Sequence, residues 1–226
     1  MKGMNIMKNN KNSNKNAPKR KTVKSKNIWE IAASIGVIAV VALVIVFGLN
    51  GGRKDKKMTE DNVKVLVEME NGEDFTLELY PEYAPQTVQN FVDLVTDGFY
   101  DGVGFHRVVE GFMAQGGDPE GTGMGGCGVT IPGEFAANGF SQNTLSHTRG
   151  VISMARSQDP DSASSQFFIC YDDASFLDGQ YAAFGKVIDG METVDGFLNV
   201  KRTYNSMGEE ASPTEPITMK RVTIIE

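Results

Sequence analysis

The chain has 226 residues, of which 40% are hydrophobic and 23% are charged, a composition typical of a globular protein with one sizeable core. The formal net charge of −7 hides an asymmetry, because nine basic and no acidic residues precede Asn27, whereas the part from Asp61 onward holds 9 basic and 26 acidic residues. That balance of −17 repels phosphate, so we exclude nucleic acid as a partner of the acidic part.

The N-terminal part divides into three segments. Residues 1–27 are rich in lysine and asparagine without apolar periodicity, which predicts a disordered basic tail. Residues 31–49 carry no charge and are long enough for a helix to cross a bilayer, and Trp29 lies where an interfacial aromatic residue is expected. We therefore predict a transmembrane anchor over residues 28–49 and a polar linker over residues 50–60.

The orientation of this anchor follows from its flanking charge. The positive-inside rule places the basic tail in the cytoplasm and the domain of residues 61–226 outside it, although four basic residues in the linker weaken the asymmetry. We expect a single-pass protein of the cell membrane with an extracytoplasmic domain. A cleaved signal peptide is the alternative, but the apolar run is long for one and no clear small-x-small cleavage site follows.

The acidic domain begins with strand patterns. Alternating apolar residues predict strands around Val63–Met69 and Phe75–Leu79, joined at an Asn-Gly turn. An apolar stripe predicts a helix over Gln86–Thr96, and a second helix fits Met191–Leu198. Further strands are predicted at Val151–Arg156, Phe167–Cys170, Ala182–Val187 and Ile217–Ile225, while the polar segment Lys201–Glu215 is interpreted as a surface loop. Many short strands and two helices favour a mainly β domain, namely a closed antiparallel barrel.

Several motifs have unremarkable interpretations. Gly121–Gly126 matches the glycine pattern of dinucleotide-binding proteins, but no helix is predicted after it, so a glycine-rich loop is favoured. Asp172, Asp173 and Asp178 lack the spacing of a calcium loop and are interpreted as turn residues. Two cysteines and two histidines are too few for a usual zinc site, and no cofactor is implied. Two unpaired thiols are favoured over a disulfide, although a disulfide stays open outside the cytoplasm.

The stretch Phe105–Asp118 predicts a functional hairpin. Residues two apart share a strand face, so Arg107 lies beside Val109 on one strand, and Met113 lies beside Gln115 on the next. An apolar surface that carries one guanidinium and one amide suits a neutral ligand with carbonyl groups, such as a peptide. An ordinary buried hairpin is the alternative from spacing alone.

This stretch resembles a signature of the cyclophilin-type peptidyl-prolyl cis–trans isomerases, in a bacterial, membrane-anchored form. Ser164–Cys170 resembles the family's other signature, and the sequences around Phe176–Gly179 and Phe184–Val187 follow at the family's spacing. The resemblance extends from about Val63 to the C-terminus. It implies an eight-stranded antiparallel β-barrel capped by two α-helices, with the site on the outer surface.

The resemblance also implies a role for individual residues. Arg107 matches the catalytic arginine thought to donate to the prolyl nitrogen, and Gln115 matches the glutamine that holds the substrate's carbonyl group. Ala155 matches a backbone contact beside the pocket. The proline ring would bind in a hydrophobic pocket formed by Phe112, Met113, Phe168 and Leu177.

Three substrate-binding positions depart from the common family pattern. Phe176 stands where many eukaryotic members have tryptophan, which implies weak cyclosporin binding. Tyr181 stands where many members have histidine, and its ring and hydroxyl can still close the pocket. Arg156 replaces a common asparagine, and its contact is expected to be largely through the backbone.

We therefore expect a peptidyl-prolyl cis–trans isomerase that accelerates the folding of extracytoplasmic proteins by stabilising the twisted X–Pro amide. Its partners would be proline-containing segments of unfolded or secreted proteins, and its single N-terminal helix would bind the membrane. A non-catalytic chaperone or adaptor that binds proline peptides is the alternative. A hydrolase is disfavoured, because the sequence shows neither a nucleophile elbow nor a recognisable triad.

Overall fold

The computed structural model describes residues 61–225, which form ten strands and two α-helices. The strands are β1 (Val63–Met69), β2 (Asp74–Leu79), β3 (Gly104–Val109), β4 (Met113–Asp118), β5 (Val151–Met154), β6 (Phe167–Cys170), β7 (Ala183–Asp189), β8 (Arg202–Tyr204), β9 (Glu210–Pro213) and β10 (Met219–Ile225). The helices are α1 (Pro85–Thr96) and α2 (Met191–Gly196), and short 3₁₀ turns cover Ala136–Asn138, Ser175–Leu177 and Phe197–Asn199. The predicted mainly β class with two helices is confirmed.

Eight strands form one antiparallel sheet in the order β10-β1-β2-β7-β5-β6-β4-β3. The closed barrel expected from the sequence is not observed, because the ladder ends at β10 and β3 and the sheet is a curled half-barrel. One isolated bridge, Gly104 to Thr218, links these two edges.

The two faces of the sheet bury different residues. In β4 and β6, Ala114, Phe167 and Ile169 belong to the main core, whereas Met113 and Phe168 belong to a second apolar cluster on the opposite face. This separation follows from the two-residue period of a strand. The second cluster lies on the outer face of the curl, where a loop that contains Leu177 packs against it.

Helix α1 covers the main core through Val88, Phe91 and Val95. The Phe91 ring lies 5.4 Å from the Phe184 ring and 5.5 Å from the Phe167 ring, so the helix is joined to β7 and β6 by aromatic contacts. The apolar stripe predicted from the sequence is thus the buried face of the helix.

The N-terminus of α1 is stabilised by a buried carboxylate from a distant loop. Pro85 suits the first turn because it lacks an N–H. Glu134 accepts hydrogen bonds from the Gln86 backbone N–H at 3.0 Å and from the Thr87 N–H at 2.8 Å. A negative charge at a partly buried helix N-terminus contributes up to about 2 kcal/mol.

The segment Lys201–Glu215 is not the surface loop predicted from its polarity, because β8 and β9 pair there as a separate two-stranded sheet. Asn205 organises the turn, since its side-chain carbonyl accepts the backbone N–H groups of Met207 and Glu209, each at 3.0 Å. The hairpin is thus held by side-chain and backbone hydrogen bonds rather than by an apolar pattern visible in the sequence.

The glycine-rich segment after β4 is a loop, as predicted. The buried carboxylate of Asp118 accepts backbone N–H groups of Glu120, Thr122, Gly123 and Gly125 at 2.6–3.2 Å. Burial raises the pKa of Asp118, but these four hydrogen bonds together lower it by more than burial raises it. The pKa of the carboxyl is therefore below its usual value. These backbone N–H groups of the glycine-rich loop therefore donate to the side chain of Asp118, and not to the phosphates of a dinucleotide.

Cys127 and Cys170 are both free thiols. Cys170 is buried at the end of β6, and burial, together with the nearby Asp178 and Asp173, raises the pKa of its thiol to about 12. The thiol is therefore protonated and unreactive at neutral pH.

The predicted basic tail, anchor and linker, residues 1–60, lie outside the described residues. Between residues 61 and 225, none of the helices combines the length and the apolar character needed to span a bilayer.

Candidate active site

A cleft of about 340 Å³ lies on the outer face of the sheet and gathers every residue that the sequence indicated for the site. It is lined by Arg107, Phe112, Met113, Gln115, Ala155, Arg156, Phe168, Phe176, Leu177 and Tyr181. These residues come from β3, β4 and β6 and from the segments that follow β3, β5 and β6. Their convergence depends on strand pairing between segments that are far apart in the chain.

The register of three neighbouring strands builds the centre of the cleft. Arg107 in β3 is paired with Gln115 in β4, and Gln115 is paired with Phe168 in β6. Directly paired residues of antiparallel strands share a face, so a cation, an amide and an aromatic ring stand in one row. Ser153 of β5 continues the row beyond Phe168, but it is fully buried.

The Arg107 guanidinium is held in a fixed orientation. Its Nε lies 2.6 Å from one carboxylate oxygen of Glu209, and its Nη2 lies 2.9 Å from the other. Nη1 donates to the Gln115 side-chain carbonyl at 3.2 Å. The remaining Nη1 contact is with the Met113 sulfur at 3.9 Å, a weak acceptor that a substrate carbonyl or nitrogen can replace.

The Arg107–Glu209 pair is only partly exposed, at 23% and 32% of the two side chains, so solvent screens it incompletely. The hydrogen bonds from Arg107 lower the pKa of the Glu209 carboxyl, which is therefore ionised at neutral pH. A bidentate arginine–carboxylate pair fixes the plane of the guanidinium as well as its position.

Gln115 is oriented by a chain of hydrogen bonds. Its carbonyl accepts from Arg107, and its NH₂ group donates to the Gln166 side-chain carbonyl at 2.9 Å. Gln166 in turn donates to the backbone carbonyl of Gly125 at 2.8 Å. One N–H of Gln115 stays available for a ligand carbonyl, which agrees with the role that the resemblance implies.

The apolar part of the cleft is built from Met113, Phe168 and Leu177, which are buried, and from the half-buried Phe112. Leu177 lies in the 3₁₀ turn Ser175–Leu177, and its backbone N–H donates to the Ala174 carbonyl at 2.8 Å. The pocket is preformed, because each wall belongs to a strand or to a hydrogen-bonded turn.

The three departures from the family pattern lie at the rim. The Phe176 side chain is 65% exposed, and its ring lies 5.6 Å from that of Phe112. The Tyr181 ring meets Phe168 edge-on at 6.1 Å and closes one side of the pocket. The Arg156 guanidinium stacks over the Tyr181 ring at 4.5 Å, and the expectation that this position contacts substrate largely through its backbone stays a prediction.

A buried polar network supports the Phe168 wall. The His147 ring nitrogens lie 2.8 Å from the Asp178 carboxylate and 2.9 Å from the Ser153 hydroxyl, and the ring stacks on Phe168 at 6.1 Å. Burial lowers the pKa of His147 although Asp178 raises it. Ser153 and His147 are both fully buried, so this Ser-His-Asp arrangement cannot reach a substrate and is structural.

The chemistry of the cleft follows from its lining. No serine, cysteine, histidine or carboxylate is among the described residues that line it. It offers an apolar pocket, one oriented cation and one amide, which suit a reaction without proton transfer or a covalent intermediate.

The comparison with known families agrees with this geometry. The family described as "Cyclophilin type peptidyl-prolyl cis-trans isomerase/CLD" matches residues 64–224. The chain belongs to this family. As a cyclophilin-type enzyme, it is a peptidyl-prolyl cis–trans isomerase, and its curled eight-stranded sheet with two helices is cyclophilin-like.

Bacterial isomerases are among the relatives of this cyclophilin. It is 40% identical over 177 residues to a probable peptidyl-prolyl cis-trans isomerase of Brucella suis, covering 73% of this chain and 84% of the relative. It is 45% identical over 131 residues to peptidyl-prolyl cis-trans isomerase B of Bacillus subtilis, covering 58% and 87%.

Solved structures of a cyclophilin-type isomerase also resemble this chain. A Cryptosporidium parvum cyclophilin-type isomerase superposes with a TM-score of 0.64 at 32% identity, covering 74% of this chain and 99% of that one. A second structure of that protein, in the presence of the dipeptide Ala-Pro, gives a TM-score of 0.62 at 34% identity, covering 72% and 99%.

Glu209, which orients the cation of this cyclophilin, was missed by sequence reasoning. It lies 102 residues after Arg107 in a segment interpreted as a surface loop. Sequence reasoning also missed the role of Asp178, which it interpreted as a solvated turn residue although its carboxylate forms a hydrogen bond with the His147 ring. The sequence carries no local signal for either contact, because both depend on loops that return to the sheet.

We predict that Glu209→Gln lowers kcat/KM of prolyl isomerisation by about tenfold, equivalent to about 1.4 kcal/mol of transition-state stabilisation. The amide retains the size of the side chain but removes the ionic, bidentate contact that orients Arg107. The loss should fall mainly on kcat, because the orientation of the donor matters most in the transition state. A protease-coupled or NMR exchange assay on a Xaa-Pro-Phe peptide measures both constants.

Glu110→Gln is the matched control, because it removes the same charge from an exposed carboxylate that lies 3.6 Å from Arg202 and does not contact Arg107. It should keep the rate of the unmodified protein. A folded Glu209→Gln variant with unchanged kcat would show that the ion pair only attaches the hairpin to the sheet.

Proposed function

We propose that this cyclophilin catalyses rotation about X–Pro bonds in exposed segments of unfolded or newly secreted chains. The observation that supports it is the oriented Arg107 guanidinium beside the apolar pocket of Phe112, Met113, Phe168 and Leu177. Uncatalysed isomerisation takes tens of seconds or longer, which is slow enough to limit folding. A catalyst at the site of secretion would remove that delay.

The mechanism requires no covalent chemistry. The barrier of about 20 kcal/mol comes from the partial double bond of the amide. In the twisted state the prolyl nitrogen loses conjugation and becomes a better hydrogen-bond acceptor. A donor on Arg107 directed at that nitrogen, with the ring held on Phe168 and the carbonyl on Gln115, stabilises the twisted state more than either planar isomer.

Arg107→Ala should reduce isomerisation of a Xaa-Pro-Phe peptide by about a hundredfold, a size typical for removal of one preorganised donor. Arg149→Ala is the control, since that arginine is exposed, pairs with Asp195 at 2.6 Å and lies outside the cleft. Circular dichroism and a thermal melt establish that both variants are folded.

Equal rates for Arg107→Ala and the unmodified protein would refute the assigned role of Arg107. If the unmodified protein binds proline peptides without accelerating their isomerisation, the chain is an adaptor with a cyclophilin groove. The related Cryptosporidium parvum isomerase has a structure determined in the presence of the dipeptide Ala-Pro, which supports the use of proline peptides as probes.

We expect cyclosporin to bind weakly, with a dissociation constant in the micromolar range or above, because Phe176 replaces a larger tryptophan at an exposed position of the rim. Phe176→Trp should tighten binding by about tenfold, since added aromatic area is worth about 1.4 kcal/mol. Isothermal titration of both proteins measures the difference. A nanomolar constant for the unmodified protein would contradict this expectation.

The site of action is proposed to be the outer side of a cell membrane. The support is the uncharged run of residues 31–49 after a basic tail. The full-length chain, expressed in bacteria, should stay in the membrane fraction after an alkaline wash, and added protease should cleave the acidic domain in spheroplasts. Release of a shortened chain into the soluble fraction would indicate a cleaved signal peptide instead.

A further inference from the structure

Arg156 lies across the proline pocket from Arg107. The row Arg107–Gln115–Phe168 runs from β3 through β4 to β6, and β5 is the next strand beyond it. Ala155 directly follows β5, and its backbone N–H donates to the Gln166 carbonyl of the segment leading into β6 at 3.0 Å. Arg156 comes next and lines the same cleft, so a peptide seated on Phe168 has one arginine on each side.

The Arg156 guanidinium is held without being neutralised. It stacks over the Tyr181 ring at 4.5 Å and the Phe135 ring at 5.1 Å. Its Nε and Nη2 donate to the Gln180 backbone carbonyl at 3.2 and 2.9 Å, and its Nη1 donates to the Ser157 carbonyl at 2.8 Å. Carbonyl groups fix the cation in place but carry no net charge, so its full positive charge remains.

The two arginines of the cleft therefore differ electrostatically. Arg107 is paired with Glu209, whereas Arg156 forms no ion pair with any residue in the 61–225 region. The nearest acidic residues along the chain, Asp159 and Asp161, accept other groups: Asp159 accepts the Asp161 backbone N–H, and Asp161 accepts from Gly133 and Asn138. Arg156 thus contributes an uncompensated positive charge to the cleft.

This local charge has the opposite sign to that of the domain. Nine basic and 26 acidic residues follow position 60, so the domain as a whole attracts cationic chains at long range. Screening limits long-range effects to about 10 Å at 0.1 M salt, so the charge nearest the bound residue dominates inside the cleft.

We propose that Arg156 makes the enzyme prefer substrates with a glutamate or aspartate next to the proline, a preference that rests on the proposed isomerase function. A carboxylate beside the proline would pair with the stacked guanidinium, whereas a lysine would be repelled. The Tyr181 ring stiffens the arginine, so little side-chain entropy is lost when the pair forms.

The test compares peptides with glutamate, glutamine or lysine beside the proline, first before it and then after it, using the full-length chain. An alanine peptide is measured in parallel. At low ionic strength, kcat/KM for the glutamate peptide should exceed that for the lysine peptide by about fivefold at one of the two positions, a size typical of a partly exposed ion pair. The ratio should fall towards one in 0.5 M salt.

Arg156→Gln should abolish the glutamate-to-lysine ratio, and Arg156→Lys should retain part of it because the charge remains without the planar stack. Arg149→Gln, which removes the same charge outside the cleft, should leave the ratio unchanged. The measured quantity is a ratio between substrates, so a general loss of activity or stability in a variant does not affect it.

The inference is overturned if the alanine peptide is isomerised but glutamate and lysine peptides react equally, or if Arg156→Gln keeps the ratio. No acceleration of any peptide, alanine included, would instead refute the isomerase function itself. The two failures are therefore distinguishable in one experiment.

Discussion

The antiparallel register of β3, β4 and β6 is the constraint on which the site depends. It sets Arg107, Gln115 and Phe168 in one row on the outer face, while the alternate residues fill the main core. If any of these strands slipped by one residue, its member of the row would turn into the core and an apolar side chain would be exposed in its place. The core packing that stabilises the sheet therefore also sets which side chains share the outer face.

Around that row, polar contacts from distant loops hold each group in its orientation. Glu209 fixes the plane of Arg107, Gln166 fixes the amide of Gln115, and His147 stacks against Phe168. These contacts restrict side chains that would otherwise sample several rotamers, which reduces the entropy lost when a substrate binds. The result is a preformed cleft, suited to stabilising a twisted amide without acids, bases or nucleophiles.

The two arginines that line the cleft, Arg107 and Arg156, have different electrostatic surroundings. Arg107 has its charge balanced by Glu209. In the role proposed for it, Arg107 donates a directed hydrogen bond, for which orientation matters more than net charge. Arg156 is held by carbonyl groups and aromatic rings that carry no net charge, so its positive charge is not balanced by an ion pair within residues 61–225. In our proposals one guanidinium serves the reaction and the other the choice of substrate, and the difference arises from their neighbours rather than from residue type.

The sequence by itself determined the mainly β class and both helices, because strand and helix periodicity are local. The ten residues that line the cleft were indicated by the resemblance of the motifs around Arg107 and Phe168 to the cyclophilin family, and not by periodicity. Only the tertiary structure showed that the ladder stops at Gly104 and Thr218, that Lys201–Glu215 forms a hairpin, and that Glu209 reaches Arg107. Those features depend on contacts between segments up to about a hundred residues apart, and local patterns do not encode which polar groups meet after the chain folds.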